Sequence, residues 1–312
     1  MHTTSRKIGI LGVAFSVTLL CACALPSVPP AGPPTAESPA QAVADLGHGI
    51  YVLSAARNNT TLIVGNDALV VIDNQFTSRF PRIWETIRAI SPKPIRYVIN
   101  THYHGDHTGG NAEFRKQGID VVAHRNVVTR LANPPLDPVS GHPVAPTPPE
   151  FLPNVAYTGD TSVVRIAGVE ADLVHPPSGH TDGDTIVIFK SANVVATGDL
   201  TGTFYPNIDL GVGGGIDGVI AAVNLIIGLL DDNTKVIPGH GPVMSKSQVV
   251  AYRDMLKTAR ERIANAKYRG MTEREVVQAN LLTDLDAQWK SATGPGALVS
   301  ERFPGVVYRS LP

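Results

Sequence analysis

The sequence predicts an α/β domain in which two β-sheets pack face to face and helices cover the outer faces. Two observations lead to this prediction. Strand-like runs rich in Val and Ile alternate with helix-like segments on both sides of a proline-rich stretch at 133–153. Short polar clusters with glycine directly follow several of these runs, as expected where loops gather at one edge of a sheet. Roughly 270 residues follow the N-terminal segment, which is ample for one domain with a large core.

The first half of the predicted domain contains five strands and two helices. Its β-branched runs have the length of strands, and its amphipathic runs have helical periodicity. The predicted strands are 50–54, 60–64, 69–72, 95–100 and 120–123, and the predicted helices are 82–90 and 110–117. The proline-rich stretch that follows is too long for an ordinary connection, so we expect it to form a binding edge.

The second half repeats the alternation and then becomes helical from about residue 246. The predicted strands are 162–166, 169–174, 185–189, 194–196 and 235–237, and the predicted helices are 217–230 and 248–268. In the last of these helices apolar residues recur every three or four positions. Thr272 with Glu275 predicts a capping box for a further helix. The tail at 281–312 shows a mixed pattern.

The N-terminal residues 1–23 have the proportions of an export signal. Arg6 and Lys7 precede an uncharged apolar run at 8–20, which is short for a transmembrane helix. The residues that follow resemble a bacterial lipoprotein box, in which Cys23 would carry a lipid and anchor the protein to a membrane. Ordinary cleavage nearby would instead release a soluble periplasmic protein, and both alternatives stay open.

Residues 24–44 are predicted to form a tether, and the folded domain is expected at 45–312. The tether holds six prolines between 24 and 41 and cannot bury apolar area. Both cysteines lie at 21 and 23, so the domain has neither a disulfide nor a thiolate metal ligand. Loss of the signal would change the net charge from −1 to about −3. Without a basic patch, we expect no nucleic-acid partner.

The stretch 101–110 is the richest in chemistry, because three imidazoles and a carboxylate fall within six residues. These are His102, His104, Asp106 and His107, directly after the strand at 95–100. At strand spacing the first two side chains point to the same side, and Gly105 is expected to let the chain turn sharply. Neutral imidazoles with a carboxylate are ligands of zinc and related metals. The stretch therefore predicts a metal site.

Three further polar residues follow predicted strands beside glycine. His180 lies in a Gly-rich loop, Asp199 ends the run that begins at Val194, and His240 follows the strand at 235–237. A two-metal site needs about seven or eight ligands. We therefore expect these residues to join the cluster at 102–107.

The complete pattern resembles the metallo-β-lactamase superfamily. It reads His-x-His-x-Asp-His, then Gly-His, Gly-Asp and Gly-His-Gly, and it covers about 49–244. The resemblance implies a four-layer αββα sandwich. It also implies that Asp73 lies beneath the metal loop and orients it through hydrogen bonds. The implied ligands are His102, His104 and His180 for one metal and Asp106, His107 and His240 for the other, with Asp199 bridging the pair.

The residue at 199 separates subgroups of this superfamily. The best-known β-lactam-hydrolysing members carry Cys there and a substrate-binding Lys three residues later, where this chain has Gly202. Asp199 resembles instead glyoxalase II, the acyl-homoserine lactonases and other broad hydrolases.

The resemblance implies a hydrolase with two Zn²⁺ per chain, iron and manganese being alternatives. Two such metals hold a hydroxide that attacks a carbonyl, and Asp106 would relay its proton as the catalytic carboxylate. The expected partner is a small-molecule substrate, a β-lactam or a lactone. The alternatives are a glyoxalase II-like thioester hydrolase, an iron-dependent persulfide dioxygenase and a non-catalytic metal-binding accessory protein.

Two groups of residues outside the motifs carry weaker expectations. Phe204 and Tyr205 lie in a glycine-rich loop after Asp199, where they would either line the substrate or pack the loop down. The remaining histidines of the second group fit no ligand pattern and are expected in loops or on the surface. They are His124, His142 and His175.

Overall fold

The computed structural model describes residues 41–137, 141–166, 169–291 and 294–312. The predicted signal at 1–23 and the tether up to residue 40 lie outside these residues. In the described ranges no helix combines the length and the apolar character that crossing a membrane requires.

Seven strands form the first sheet, and they lie in the sheet in chain order. They are β1 (Ala42–Asp45), β2 (Ile50–Ala55), β3 (Asn58–Val64), β4 (Leu69–Ile72), β5 (Ile95–Ile99), β6 (Asp120–His124) and β7 (Val155–Tyr157). The first four strands pair antiparallel, whereas β4 to β7 pair parallel. The connections around the parallel strands hold α1 (Phe80–Ile90), α2 (Gly105–Thr108), α3 (Asn111–Lys116) and α4 (Arg125–Ala132).

Five strands form the second sheet, in the order β12, β11, β10, β9, β8. They are β8 (Thr161–Ile166), β9 (Val169–Val174), β10 (Ile186–Phe189), β11 (Val194–Gly198) and β12 (Lys235–Pro238). The parallel pair β11 and β12 is joined through α5 (Ile216–Leu229). The chain ends in α6 (Lys246–Tyr268), α7 (Glu273–Gln278), α8 (Thr283–Trp289) and α9 (Gly294–Ser310).

Alternating side chains divide the core into layers, because successive residues of a strand point to opposite faces. In β4, Val70 and Ile72 join a cluster that includes Val187 of the second sheet, so they lie between the sheets. Leu69 of the same strand packs with Ile87 of α1 on the outer face.

The outer face of the second sheet is covered by the C-terminal helices. Val223 of α5, Leu256 of α6 and Phe303 of α9 pack in one cluster with Ile186 and Val236 of that sheet. Helix, sheet, sheet and helix therefore form four layers, and the predicted αββα sandwich is confirmed.

Two of the C-terminal helices begin with a capping box, of which only the one at Thr272 was predicted. Thr272 and Glu275 form the predicted capping box at the start of α7, and Ser245 with Gln248 forms another at the start of α6. Each box satisfies two backbone N–H groups that the first helical turn leaves without a partner.

The strands β1 and β7 and the helices α2, α4, α8 and α9 were not predicted, and for four of them there is a local reason. The edge strand β1 is fully exposed and has no apolar alternation, and it places folded structure inside the predicted tether. The strand β7 has only three residues. The helix α4 follows β6 directly, and α9 contains Pro304, which breaks the usual helical pattern.

Candidate metal centre

The predicted ligands meet at one edge of the sandwich because each follows the end of a strand. Residues 102–107 follow β5, and His180 lies in the connection from β9 to β10. Asp199 follows β11, and His240 follows β12. Since β4 and β5 pair parallel, Asp73 at the end of β4 lies directly beside the first of these loops.

The first cluster consists of His102, His104 and His180. Nε2 of His102 lies 3.1 Å from Nδ1 of His104, and Nε2 of His180 lies 2.9 Å from the same Nδ1. Both histidines of the 102–104 pair lie beyond the end of β5, so their convergence comes from the loop and not from strand spacing. Three imidazole nitrogens nevertheless point at one position.

The second cluster consists of Asp106, His107 and His240. Nε2 of His240 lies 3.2 Å from Oδ2 of Asp106 and 3.4 Å from Nε2 of His107. Nε2 of His107 lies 3.7 Å from the same Asp106 oxygen. Two of these residues come from the helical turn α2, which begins directly after His104.

Asp199 lies between the two clusters. Its Oδ2 is 3.6 Å from Nε2 of His180 and 3.3 Å from Nε2 of His240, and its Oδ1 is 3.4 Å from Nε2 of His107. The Oδ1 atom is buried and accepts no hydrogen bond from any described residue. One carboxylate therefore touches both clusters, which is the position expected of a bridging ligand.

The donor set fits a pair of divalent metals. The donor atoms of His102, His104, His180 and Asp199 lie within 4.8 Å of one another, and so do those of the second cluster. Ligands of a tetrahedral zinc with bonds near 2.0–2.1 Å stand about 3.3 Å apart. Unpaired imidazole nitrogens and a buried carboxylate oxygen so close together are costly unless a cation lies among them.

Hydrogen bonds fix the remote nitrogens of the histidines in both clusters. Nδ1 of His107 contacts Oδ2 of Asp73 at 2.8 Å, and Nδ1 of His180 contacts the carbonyl of Asn207 at 2.6 Å. Nε2 of His104 contacts Oδ2 of Asp209 at 3.2 Å. Such contacts select the tautomer whose other nitrogen is free to bind a metal.

Asp73 forms hydrogen bonds to the loop that carries the metal-type donors. Its Oδ1 accepts a hydrogen bond from the backbone N–H of Thr101 at 2.8 Å, and its Oδ2 accepts one from the hydroxyl of the same residue at 2.7 Å. Its backbone has a φ of 55°, a conformation that is uncommon for any residue other than glycine. Asp73 therefore connects the loop after β4 to the loop that carries the ligands.

Glycines allow the close approach of the loops at two positions. A Cβ on Gly239 would lie 2.2 Å from Oδ1 of Asp199, and one on Gly198 would lie 2.5 Å from Oγ1 of Thr101. Gly105, in contrast, has no positive φ, and a Cβ there would meet no atom within 4 Å. The chain changes direction at Gly105 through the start of α2, so the turn does not depend on the conformational freedom of glycine.

The pKa values of His180 in the first cluster and His107 in the second are shifted in opposite directions. Burial, together with the charge of His104, lowers the pKa of His180 to about 4. Burial also opposes protonation of His107, but Asp199, Asp106 and Asp73 raise its pKa to about 9. His180 is therefore neutral and ready for a metal at pH 7, whereas His107 must first lose a proton.

Of the two aromatic residues in the loop after Asp199, Phe204 lies near the second cluster and Tyr205 lies in the core. The ring of Phe204 is half-buried and lies 6.4 Å from the ring of His240, so it faces the second cluster. Tyr205 is 1% exposed, its ring stacks on Phe303, and its hydroxyl donates to Asp286 at 2.9 Å. Tyr205 therefore packs the loop onto the helical layer and does not line a substrate.

The expectation for the remaining histidines is wrong in two of three cases. His124 and His175 are buried and stack on each other with ring centroids 3.7 Å apart, while His142 is exposed. The stacked pair joins the end of β6 to the end of β9, and neither ring takes part in either cluster. Lone histidines in a sequence give no signal for such a pairing across two sheets.

Three site residues were missed by the sequence analysis. Asp209 contacts His104 and also accepts a short hydrogen bond from the hydroxyl of Tyr103. Asn58 donates through Nδ2 to Oδ2 of Asp106 at 3.2 Å. No motif marks Asn58 or Asp209, although Asp209 lies in the glycine-rich loop already associated with the site, and Tyr103 occupies a position that the His-x-His motif leaves open.

The proline-rich loop forms one wall of a cavity beside His104. The cavity has a volume of about 380 Å³. Its lining includes Pro134, Leu136, Val144 and Phe151. A larger cavity of about 720 Å³ shares Leu136 and reaches Asp209 and the helix α9. An apolar wall therefore stands next to the first cluster.

Comparison with curated proteins identifies relatives that resemble about half of this chain. The chain is 27% identical over 150 residues to a hydroxyacylglutathione hydrolase from Pelagibacter ubique (strain HTCC1062), covering 47% of this chain and 52% of the relative. The chain spans about half the length of the curated relatives it matches.

Two solved structures share the fold. A metallo-beta-lactamase from Pontibacter korlensis superposes with a TM-score of 0.59 at 17% identity, covering 70% of this chain and 99% of that one. A stereoselective inverting sec-alkylsulfatase from Pseudomonas sp. superposes with a TM-score of 0.64 at 18% identity, covering 87% of this chain and 50% of that one. At these identities the likeness concerns the fold alone.

The assignment of the chain to a protein family comes from a family model. The model described as the metallo-beta-lactamase superfamily matches residues 55–243, which begin at the end of β2 and reach just beyond His240. The matched range is more than half of the chain and contains all seven predicted ligands. Members of this superfamily are metal-dependent hydrolases, and the protein described here belongs to the metallo-beta-lactamase superfamily.

Proposed function

We propose that this protein is an exported zinc-dependent hydrolase that cleaves a cyclic amide or ester, a β-lactam or a lactone. One observation carries the proposal: two clusters of metal-type donors share a buried carboxylate, Asp199, whose Oδ1 has no hydrogen bond from the described residues. Two divalent ions bound there would polarise a carbonyl and supply a water nucleophile at neutral pH.

Asp106 is the residue that we assign to proton transfer. Its Oδ2 is 3.2 Å from both Nε2 of His240 and Nδ2 of Asn58, and these contacts fix the carboxylate at the edge of the second cluster. Burial opposes its ionised form, but His107 and His240 hold the pKa of Asp106 far below its usual value. Asp106 is therefore a carboxylate at neutral pH, able to orient a water and accept its proton.

The class of substrate follows from what surrounds the clusters. The domain has no cysteine to serve as a ligand, and position 202 is a glycine without a cationic side chain. Leu136, Val144 and Phe151 form an apolar wall beside His104, and Phe204 lies near His240. The apolar wall favours a substrate that places an apolar group beside His104.

A thioester hydrolase is the second candidate. It is supported by Asp199 and by the 27% identity to a hydroxyacylglutathione hydrolase. Export would separate this protein from glutathione in the cytosol, which favours the lactone or β-lactam over the thioester. Hydrolysis of a glutathione thioester at rates above those of lactones and β-lactams would reverse this order.

Export and membrane anchoring are part of the proposal and rest on the signal-like residues 1–23. Cys23 would carry the lipid. We expect Cys23→Ala to move the protein from the membrane fraction of cells to the soluble periplasmic fraction. An unchanged membrane fraction would remove the lipid anchor from the proposal.

The test of the activity uses zinc-loaded protein and a panel of lactones, β-lactams and a glutathione thioester. We expect measurable hydrolysis of activated lactones or β-lactams, and a loss of roughly 10²- to 10⁴-fold in Asp106→Asn, which removes the base. Circular dichroism of Asp106→Asn should remain that of the wild type. A fully zinc-loaded protein inert on the whole panel would contradict the proposed function.

A further inference from the structure

The hairpin between β2 and β3 carries an arginine at its tip. The two turn residues, Ala56 and Arg57, have φ values of 50° and 75°. Positive φ at both central residues is the conformation of the two-residue turns that match the twist of a hairpin, and glycine or asparagine usually occupies it. Arg57 is exposed, so no core packing explains an arginine at this position.

The backbone of this hairpin is fixed to the second cluster. The N–H of Gly241 donates to the carbonyl of Arg57 at 2.9 Å, and Asn58 forms an isolated β-bridge with His240. The side chain of Asn58 contacts Asp106 at 3.2 Å. Asn58, the residue after Arg57, therefore contacts two of the three members of the second cluster.

The side chain of Arg57 is held near the same cluster by neutral groups. One guanidinium nitrogen, Nη1, donates to Oγ of Ser291 at 2.8 Å. The guanidinium carbon lies 5.7 Å from the ring centroid of Phe204, whose ring is 6.4 Å from that of His240. These contacts leave most of the five N–H donors of the guanidinium without a protein acceptor among the described residues.

Arg130, near the first cluster, differs from Arg57 because a carboxylate neutralises its charge. Its Nε and Nη2 atoms both donate to Asp182, at 3.2 Å and 2.7 Å. No carboxylate of the described ranges forms such an ion pair with Arg57. The charge of Arg57 is therefore available to a ligand, whereas that of Arg130 is already matched.

We propose that Arg57 forms a subsite for a substrate carboxylate next to the carbonyl that is cleaved, which rests on the proposed hydrolase function. A planar guanidinium matches the two oxygens of a carboxylate, and hydrogen bonds between charged groups are stronger than neutral ones. The hairpin sets the subsite beside His240 and Asp106, so the carboxylate binds on the side of the second cluster. The apolar cavity beside His104 remains for the other end of the substrate.

The test compares two esters of similar length, mono-4-nitrophenyl glutarate and 4-nitrophenyl pentanoate, with zinc-loaded protein. We expect Arg57→Gln to lower kcat/KM for the glutarate ester by roughly tenfold to hundredfold, mainly through KM. The pentanoate ester should change by less than about twofold, because it has no anion for Arg57 to bind. Arg57→Lys should lie between, since it keeps the charge but loses the planar fork.

Arg96 provides the matched control. It is also exposed and lies 5.0 Å from the ring of Tyr97, but it stands near the start of β5, away from the ligands that follow the end of this strand. Arg96→Gln should leave the ratio of the two esters unchanged. An equal loss on both esters in Arg57→Gln, or no loss on either, would overturn the subsite.

Direct binding separates this inference from the proposed function. Calorimetric titration with glutarate should show weaker binding to Arg57→Gln than to the wild type and to Arg96→Gln. A wild type inert on both esters would count against the hydrolase alone, because the glutarate titration still decides the role of Arg57. Equal glutarate affinity in all three proteins would contradict the subsite.

Discussion

The two ligand clusters share a carboxylate but differ in burial and charge. In the first cluster the side chains of His102 and His180 are each 1% exposed, and the ligands other than Asp199 are imidazoles. In the second, Asp106 is 24% and His240 is 19% exposed, and a carboxylate replaces one imidazole. The first cluster is therefore the more buried of the two, although His107 of the second is also 1% exposed, and only the second contains a carboxylate of its own.

From this difference in burial and charge we infer separate tasks for the two clusters. A set of neutral imidazoles with fixed tautomers binds a metal without displacing protons. The open cluster is bordered by Asn58, Phe204 and Arg57, so a substrate would approach the centre from this side. We expect the first cluster to hold its metal more tightly and the second to govern turnover.

Removal of the shared carboxylate should have the largest effect. Asp199→Ala deletes a side chain that contacts His180, His107 and His240 together. Metal bound after dialysis should fall below one ion per chain, and activity should fall by at least about 10³-fold. Elemental analysis measures the metal content. The control Asp254→Ala removes an exposed carboxylate on α6 and should leave two ions.

The two supporting carboxylates should act on different clusters. Asp73→Asn weakens the contact with His107, and Asp209→Asn weakens the contact with His104. Each change should lower metal affinity by roughly 10- to 100-fold, at the second cluster for Asp73 and at the first for Asp209. Competition with a chromophoric chelator resolves the two binding steps. The same step weakened by both variants would contradict the division between clusters.

Acidification should release the second metal before the first. The pKa of His107 is raised to about 9, so below that pH a metal must displace a proton, and its affinity should fall roughly tenfold for each pH unit. The pKa of His180 is lowered to about 4, so its nitrogen stays free until much lower pH. Metal content after dialysis between pH 8 and 5 should drop from two to one. Loss of both ions together would oppose this order.

The buried histidine pair outside the clusters should show the smallest effect. Burial and the neighbouring His175 lower the pKa of His124 to about 4. His124 therefore binds a proton near pH 6.5 in the unfolded chain but stays neutral in the folded chain until about pH 4. The free energy of unfolding consequently decreases as pH falls from 6.5 towards 4. We expect this loss to be about 1 kcal/mol once solvent screening is allowed for.

The variant His124→Asn tests this expectation. Urea unfolding at pH 7 and pH 5 should show a smaller difference between the two pH values than in the wild type. Its metal content should equal that of the wild type, because neither ring of the stacked pair contacts a ligand. A loss of metal in His124→Asn would place this pair in the metal centre after all.

The sequence predicted best those features that are local in the chain. The residues at 102–107 stand together in the sequence, and glycines mark the positions of His180, Asp199 and His240 where loops approach closely. Strands such as β4 follow from β-branched runs, and the predicted bounds agree with the structure at 69–72.

The missed features depend on contacts between distant segments. Asp209 supports His104 only because the loop after β11 folds back against the loop after β5. Tyr205 was expected at the substrate with the same weight as in the core, and the helix α9, which decides its place, was not predicted. Asn58 and Arg57 reach the site through pairing of the hairpin with the loop at His240, which no local pattern announces.

The metal content of the purified protein tests the central claim most directly. Elemental analysis of the wild type and of His240→Ala needs no knowledge of the substrate. Seven donors in two clusters predict close to two zinc ions per chain in the wild type and close to one in His240→Ala, with the first cluster still filled. A wild-type content of one ion per chain, or an iron chromophore in place of zinc, would contradict the di-zinc centre.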